Sequence, residues 1–275
     1  MRARFAIPVL AVSAVLLGCD GGSTAPREEF SYPPSLVTHG TIDGNAHPAV
    51  VLIVMDVAGR PAFGCSGTLI APKVVLTAGH CAGEPGDFSG MRVFTESDVE
   101  NGNNNFPFKG PNTIEATAWQ AHPLYTNRAF FLHDVGVVVL SKAVKLASGQ
   151  YGTLPRQDQL DALQPGSSTV FTAVGYGLQR INPAHIEDEL IRMFAEPHLI
   201  QINTNFTGDF SMLLSNNAST GGTCFGDSGG PNYLGSSNVI AGVTSFGLNN
   251  TCGGTGGVFR LDRKNVLDFV TQFLK

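Results

Sequence analysis

Short apolar runs, separated by turns rich in glycine and asparagine, dominate the chain from about residue 37 onward. Runs of this length with many Val, Ile and Leu residues are typical of β-strands rather than of helices. The run 135–140 has almost no polar residue and is expected to be buried on both faces. The pattern predicts strands at 50–56, 65–70, 74–77, 91–95, 135–140, 168–174, 190–194 and 239–246.

The periodicity changes at the C-terminus. Apolar residues at 266, 267, 270, 273 and 274 recur at helical spacing, which predicts a short helix over 263–274. Asp262 stands where a capping residue would begin it. Its apolar face is expected to dock on the rest of the domain rather than on a membrane.

The N-terminus has the pattern of a targeting segment. Arg2 and Arg4 precede an apolar run that is too short to span a membrane, which predicts a signal peptide over 1–18. The sequence LLGC at 16–19 resembles the bacterial lipobox. This implies lipidation of Cys19 and a membrane lipoprotein facing the periplasm or the cell surface. The alternative is an ordinary signal peptide and a secreted protein.

Residues 19–36 are rich in Gly, Ser, Pro and Glu, which predicts a flexible linker or a disordered propeptide. The whole chain has 33 Gly, 16 Pro and only 14% charged residues, a composition that favours a secreted all-β protein. Its net charge of −5 gives no reason to expect nucleic acid as a partner. We expect a monomer.

The stretch 96–112 is rich in Gly and Asn and is predicted to be a surface loop. Glu96, Asp98 and Glu100 are candidate calcium ligands there, although solvated charges are the favoured interpretation. His185 and His198 have no partner at a metal-ligand spacing. No metal site is therefore predicted.

Ser228 lies between small residues in GDSGGP (226–231), where a bulky substrate can reach its hydroxyl. A serine nucleophile needs a base, and the base needs an orienting group. The motif also fits G-x-S-x-G of the α/β-hydrolases, whose histidine follows the serine. All seven histidines here precede Ser228, so that fold is excluded.

The order that remains is His, then Asp, then Ser. His80 follows the apolar run 74–76, and Asp134 opens the buried run 135–140. A carboxylate at the start of such a strand is costly unless it is paired, and an imidazole N–H is a suitable partner. His80, Asp134 and Ser228 are therefore the candidate catalytic residues.

These motifs carry a family resemblance. TAGHC at 77–81, DVGVVVL at 134–140 and GDSGGP at 226–231 resemble the signature blocks of the trypsin/chymotrypsin family of serine peptidases. Supporting blocks stand at 65–70, 174–177, 244–247 and 257–259. The resemblance covers the chain from about residue 37 to its end.

The resemblance implies an all-β fold of two six-stranded antiparallel Greek-key barrels, packed together, with a short C-terminal α-helix. The peptidase domain would be 37–275, with the first barrel over about 37–150 and the second over about 160–262. It also implies the disulfides Cys65–Cys81 and Cys224–Cys252. Of the five cysteines, only Cys19 is then left for a lipid.

The resemblance also assigns roles at the site. Ser228 would attack a peptide carbonyl with His80 as base, oriented by Asp134, and Ser245 would support Asp134. The N–H groups of Gly226 and Ser228 would form the oxyanion hole. No cofactor is needed for this chemistry.

Specificity is implied by the residues of the primary pocket. Gly222 stands at the pocket base where trypsin-like members carry Asp, so a preference for Arg or Lys is not supported. The walls would be Gly247 and Gly257, and 245–247 would pair with an extended polypeptide substrate. The expected preference is for a neutral or apolar side chain. The implied pocket residues are Gly222, Thr223, Ser245, Phe246, Gly247 and Gly257.

In the family, proteolysis frees an α-amino group that pairs with the Asp before the nucleophile, here Asp227. Val37 occupies the matching place, but Leu36 before it is not Arg or Lys, and Thr38-His39 departs from the usual Val-Gly. Either another peptidase cuts after Leu36, or Asp227 finds a different cationic partner.

Two other functions fit the same residues. One is a catalytically silent, lipid-anchored binding protein on the same fold, which the complete set of His80, Asp134 and Ser228 disfavours. The other is an esterase that uses the same three residues.

Overall fold

The computed structural model describes residues 38–147, 149–182, 185–187 and 189–274. The predictions for the signal peptide, Cys19, the linker and Val37 concern residues outside these ranges. Within them the chain is mostly β-strand, as the apolar runs predict.

The first barrel is closed by six antiparallel strands in the order β2-β3-β4-β7-β6-β5. A two-residue strand, β1 (Thr41–Ile42), precedes them in the chain. The barrel strands are β2 (Val50–Val57), β3 (Arg60–Ala71), β4 (Val74–Thr77), β5 (Gly90–Phe94), β6 (Thr113–Ala121) and β7 (Gly136–Leu140).

The second barrel is also a ring of six antiparallel strands, β8-β12-β13-β16-β15-β14, closed by pairing of β14 with β8. A short strand, β11, adds to the edge of β8 and carries β1 on its outer side, whereas β9 and β10 form a separate hairpin. These strands are β8 (Gly166–Gly175), β9 (Arg180–Asn182), β10 (His185–Glu187), β11 (Met193–Ala195), β12 (His198–Thr204), β13 (Gly208–Asn216), β14 (Pro231–Leu234), β15 (Ile240–Gly247) and β16 (Gly254–Arg260).

Helices are short. α1 (Gly79–Ala82) follows β4, α2 (Lys264–Thr271) ends the domain, and single 3-10 turns lie at Asn127–Ala129, Gln159–Ala162 and Gln272–Leu274. No helix among the described residues is both long and apolar enough to cross a bilayer.

The C-terminal helix is confirmed, but the prediction that Asp262 caps it is wrong. Arg263 holds the capping position and makes no side-chain cap. The Asp262 carboxylate instead binds the buried Arg260 at 2.9–3.0 Å and accepts the Leu160 N–H at 2.8 Å. A fully buried guanidinium needs a carboxylate partner more than a helix end needs a cap that water can replace.

The cores explain why the apolar runs were predictive. Val135, Val137 and Val138 are fully buried in one cluster with β2 and β4, and a second cluster around Phe171 and Met212 fills the second barrel. The two-barrel fold with one C-terminal helix is confirmed. The Ser228 segment lies between β13 and β14, and His80 and Asp134 come from the first barrel.

Candidate active site

His80 lies in α1, immediately after β4. A Cβ on the preceding Gly79 would come within 3.2 Å of Asp134 Cα and 2.7 Å of the Tyr125 ring. A glycine is therefore required for α1 to approach the segment that carries Asp134. This close approach is the physical reason for the glycine in TAGHC.

The Asp134 carboxylate is fully buried and has three donors. His80 Nδ1 lies 3.0 Å from Oδ2 and 3.1 Å from Oδ1, and the His80 backbone N–H donates to Oδ1 at 2.9 Å. The Ser245 hydroxyl donates to Oδ2 at 2.5 Å, the short distance expected for a hydrogen bond to a carboxylate. These three donors fix the Asp134 carboxylate, and the carboxylate in turn orients the imidazole of His80.

Two opposing effects act on the His80 pKa. Burial lowers it, but the Asp134 charge and the hydrogen bond to it raise the pKa by more, so the net shift is upward from 6.5. An imidazole with this environment is a stronger base than a free one and is stabilised when it gains a proton. This is the property that a general base needs.

Ser228 sits in a turn that the first barrel supports. Its carbonyl accepts the Ser66 N–H at 2.8 Å, and Gly229, with φ +78°, donates to Thr244 O at 2.8 Å. A Cβ on Gly229 would lie 2.0 Å from Thr77 Oγ1, so only glycine fits there. Among the described residues, neither the Gly226 nor the Ser228 N–H has an acceptor in the protein.

A cavity of about 290 Å³ opens beside Ser228. Phe130 lines it and also packs edge-on against His80, with ring centroids 5.9 Å apart. In the described part of the chain, no Asp, Glu, Lys or Arg lines this cavity. The lining residues are Phe130, Thr223, Cys224, Phe225, Ser228, Thr244, Ser245, Phe246, Gly247 and Cys252.

Two of the predicted pocket residues, Gly222 and Gly257, are not among the residues that line the cavity. The β15–β16 register places Gly256, not Gly257, opposite Gly247, and a Cβ on Gly257 would strike the Phe246 ring at 2.4 Å. Since the Phe246 ring itself lines the cavity, Gly257 lies directly beside a wall residue, and its own role as a wall stays a prediction. Gly222 does not line the cavity either.

Asn216 leaves no room for a side chain at position 222. Asn216 was not identified from the sequence. A Cβ on Gly222 would lie 2.4 Å from Asn216 Cγ, so this buried amide fills the space beneath it. Its Oδ1 accepts the Thr38 hydroxyl and its Nδ2 donates to Thr223 O, both at 2.7 Å. No sequence signal links residues this far apart.

Asp227 is fully buried with few partners. The N–H groups of Gly177 and Cys224 donate to its two oxygens at 2.9 Å each, and no cationic side chain in the described ranges binds it. Burial raises the pKa of Asp227 to about 8, and the two N–H donors offset only part of that effect.

A second buried carboxylate, Asp43, has the cation that Asp227 lacks. The fully buried Arg192 donates to Asp43 at 2.8 Å, and His47 binds the same group through its ring and its backbone N–H. Burial alone would raise the pKa of Asp43, but the hydrogen bonds from His47 and Arg192 lower it by more. Arg192 also donates to the hydroxyl of Tyr176 at 3.2 Å.

Both disulfides implied by the resemblance are present. Cys65–Cys81 joins β3 to α1 with a Cα–Cα distance of 6.2 Å, and Cys224–Cys252 spans 5.3 Å beside the cavity. Across the described residues, Cys65, His80 and Cys81 are the one group close enough to bind a metal ion together. Both sulfurs are bonded to each other, so they are not available as thiolate ligands.

Residues 96–112 contain none of the strands β1 to β16, in agreement with the predicted loop. Glu96 accepts hydrogen bonds from Asn103 N at 2.9 Å and Asn112 Nδ2 at 2.8 Å, and from Asn104 Nδ2. Both oxygens of Glu96 are thus hydrogen-bonded within the loop. Asp98 binds Asn101, and the loop is held by these hydrogen bonds.

This chain is similar in sequence to known serine proteases. Residues 40–268 match the Trypsin family. The chain is 32% identical to chymase of Rattus norvegicus, over 66% of this chain and 68% of that protein. It is 33% identical to brachyurin of Leptuca pugilator, over 68% of this chain and 77% of that protein.

Solved structures agree in fold. HL collagenase superposes with a TM-score of 0.66 at 20% identity, covering 86% of this chain and 98% of that one. A mutant of human heparin binding protein gives 0.66 at 19% identity, covering 86% and 96%. At these identities the structures speak for the fold alone, and the family match carries the assignment. The chain belongs to the Trypsin family of serine proteases.

Proposed function

We propose that this chain is a serine endopeptidase in which His80, Asp134 and Ser228 form the catalytic triad. Ser228 Oγ attacks the peptide carbonyl, and His80 takes its proton and returns it to the leaving amine. Asp134 orients the imidazole and stabilises its charged form. The observation that carries the proposal is the buried Asp134 carboxylate, bound by His80 and Ser245 next to the cavity that Ser228 lines.

The oxyanion hole consists of the N–H groups of Gly226 and Ser228. Their lack of acceptors among the described residues supports this role, since donors preorganised for a developing charge must be free in the resting enzyme.

The substrate is an extended polypeptide with a neutral or apolar side chain before the scissile bond. The cavity has aromatic walls and no charged lining residue, which supports this preference. β14 pairs with β15 only up to Val243, so the far edge of Ser245–Gly247 is open to an added strand.

Activation involves Asp227. A buried carboxylate whose partners are backbone N–H groups favours pairing with a cation, and the α-amino group of Val37 is the candidate, freed by cleavage after Leu36. The alternative is an uncleaved enzyme in which Asp227 has another partner. Thr38, the residue after Val37, exchanges two backbone hydrogen bonds with Gly222, which precedes Asp227 by five residues in the chain. This pairing supports Val37 as the candidate.

The protein is a monomer held at a bacterial membrane, on its periplasmic or cell-surface side, by a lipid on Cys19. No cofactor, metal or nucleic acid takes part in its reaction. Cys19→Ala tests the anchor: the lipidated chain partitions with membranes, and the variant is released into the soluble fraction. Equal partitioning of both would leave the secreted alternative.

The test of the triad uses a fluorophosphonate probe and intact mass on the full chain and on a form beginning at Val37. Ser228→Ala is the control. Labelling of both forms that disappears in Ser228→Ala supports a serine hydrolase without zymogen control, and labelling of the Val37 form alone supports the Asp227 switch. Folded protein that reacts in neither form would overturn the proposal in favour of a binding protein.

Peptides and matched esters then separate a peptidase from an esterase. Peptides that differ only in the residue before the scissile bond, from Ala through Phe to Arg, test the pocket. Preferred cleavage after Arg would contradict the neutral preference, and ester hydrolysis without peptide hydrolysis would leave the esterase.

A further inference from the structure

Ser66 links the first barrel to the segment that carries the nucleophile. It lies in β3, directly after the disulfide-bonded Cys65, and its side chain is fully buried. All of its polar groups bind residues near the site. Its N–H donates to Ser228 O at 2.8 Å, and its carbonyl accepts the Thr77 hydroxyl at 2.8 Å.

The hydroxyl of Ser66 makes two further bonds. It donates to Gly226 O at 2.9 Å and accepts the Tyr176 N–H at 3.0 Å. A serine hydroxyl has one proton to donate, and this one is committed to Gly226. Ser66 is therefore a fixed link among β3, the Gly226–Ser228 turn and the end of β8.

We propose that Ser66 is a positioning residue for the oxyanion hole, acting through its hydroxyl on Gly226 and through its N–H on Ser228. This inference rests on the proposed peptidase function. Ser66 itself touches neither the reacting atoms nor the substrate.

Ser66 restricts the rotation of the peptide planes around the two oxyanion donors. The two oxyanion donors belong to the 225–226 and 227–228 peptides, and Ser66 holds the carbonyls of the 226–227 and 228–229 peptides. Each peptide group is planar, so a plane held at its carbonyl cannot rotate freely. The 227–228 peptide lies between two held planes, and its own carbonyl accepts the Gly230 N–H at 2.7 Å. The Ser228 N–H thus points in a fixed direction before substrate arrives, and the plane that follows the Gly226 N–H is held as well.

The second bond of the hydroxyl extends this control to Asp227. Tyr176 donates to Ser66, and the next N–H along the chain, from Gly177, donates to the Asp227 carboxylate at 2.9 Å. A Cβ on Gly175 would lie 2.9 Å from Ser66 Oγ, so the glycine there lets β8 approach the hydroxyl. One hydroxyl therefore connects the turn at Gly226 with the backbone that holds Asp227.

Ser66→Ala is the test, made in the full chain. It leaves the Ser66 N–H in place and deprives Gly226 O and Tyr176 N–H of a buried partner. We expect the rate constant for fluorophosphonate labelling, and kcat for peptides, to fall roughly tenfold to a hundredfold with KM nearly unchanged. Affinity for a peptide aldehyde, which forms a tetrahedral adduct, falls by the same factor.

Thr68→Val is the matched control. Thr68 lies two residues along β3, is equally buried, and its hydroxyl is beside Tyr233 rather than the Ser228 turn. The buried Thr68 hydroxyl has no hydrogen-bond partner among the described residues, so the isosteric Val should be tolerated by the fold, and this variant is expected to keep the labelling rate constant of the wild type. Labelling is measured well below the melting temperature of every variant, so that all are folded and the rate constant reports the site rather than the folded fraction.

If Ser66→Ala does not fold, Ser66→Gly removes the same hydroxyl and adds no atom to the interface. A wild-type labelling rate constant in either folded variant would overturn the inference. Failure of the wild-type chain to react would instead overturn the proposed function, so the two failures are distinguishable.

Discussion

Asp134 and Asp227 are both fully buried carboxylates within the same site, yet their surroundings differ. Asp134 has an imidazole, a hydroxyl and a backbone N–H, whereas Asp227 has two backbone N–H groups. The fold therefore supplies Asp134 with a partner that can share its charge, and leaves Asp227 with a pKa of about 8. Burial alone does not fix the charge of a carboxylate; the available partner does.

The largest effect is expected from removing the charge at Asp134. Asp134→Asn should lower kcat by ~10⁴-fold, because the imidazole loses both its orientation and its stabilised cation. Below the raised pKa of His80 the base is protonated, so the acid limb of kcat/KM should lie above pH 6.5 in the wild type. It should move to lower pH in the variant.

Steady-state peptide hydrolysis against pH measures both changes. Asp268→Asn on the exposed face of α2 is the control, with an expected rate equal to that of the wild type. A loss of less than tenfold in Asp134→Asn would contradict the proposed role of Asp134 in a catalytic triad.

Removing the cation from Asp43 should make it resemble Asp227. Arg192→Met should reduce the free energy of unfolding by about 3–5 kcal/mol, since it leaves Asp43 buried without its guanidinium. In the wild type the lowered pKa of Asp43 favours folding above its unfolded value of 3.8, and that contribution is lost as the pH falls. Urea unfolding at several pH values measures both.

Arg263→Met is the control for a more exposed ion pair. It should cost ~1 kcal/mol or less, because solvent screens such pairs. Equal losses in the two variants would mean that the burial of Arg192 does not matter.

Asp227→Asn should change the pH dependence of stability. A carboxyl group with a raised pKa contributes stability that is full below its unfolded value of 3.8 and is lost as the pH rises through about 8. The variant should lose this decline, and above pH 8 it should be more stable than the wild type by a few kcal/mol, on the order expected for a buried unpaired charge.

The same measurement on a form beginning at Val37 sharpens this prediction. If its α-amino group pairs with Asp227, the loss of folding stability with rising pH should be smaller in that form without any mutation. An unchanged decline would remove Val37 as the partner.

The smallest effect is expected at Ser245. Ser245→Ala removes one of the donors to Asp134, and a hydrogen bond to a charged group contributes about 1.5–3 kcal/mol. We expect kcat to fall about tenfold to a hundredfold with KM unchanged, measured with the same peptides. A fall as large as that of Asp134→Asn would show that Ser245 does more than support the carboxylate.

The sequence was sufficient for what depends on local pattern. The runs at 50–56 and 74–77 became β2 and β4 because each is apolar on both faces. In contrast β6, which alternates small and polar residues with exposed positions, was not predicted. Its strand is specified by pairing with β5 and β7, which sequence periodicity does not reveal.

The residues of the candidate site also fall into two groups, those in local motifs and those whose partners are distant in the chain. His80 and Asp134 were found because their motifs are local, and the structure brings them within hydrogen-bonding distance. Ser66, Asn216 and Arg192 were missed because their partners lie up to 178 residues away in the chain. The pairing of Gly247 with Gly256 depends on a bulge between Thr244 and Phe246, and a bulge has no reliable sequence signal.

The Cys65–Cys81 disulfide makes the site sensitive to reduction. One of its cysteines adjoins Ser66, which holds the nucleophile turn, and the other adjoins His80. Glutathione and thioredoxin reduce such bonds in the cytosol, whereas extracytoplasmic compartments preserve them. After reduction, β3 and α1 would be joined by non-covalent contacts alone, and thermal motion at this single point would loosen His80 and the Ser228 turn together.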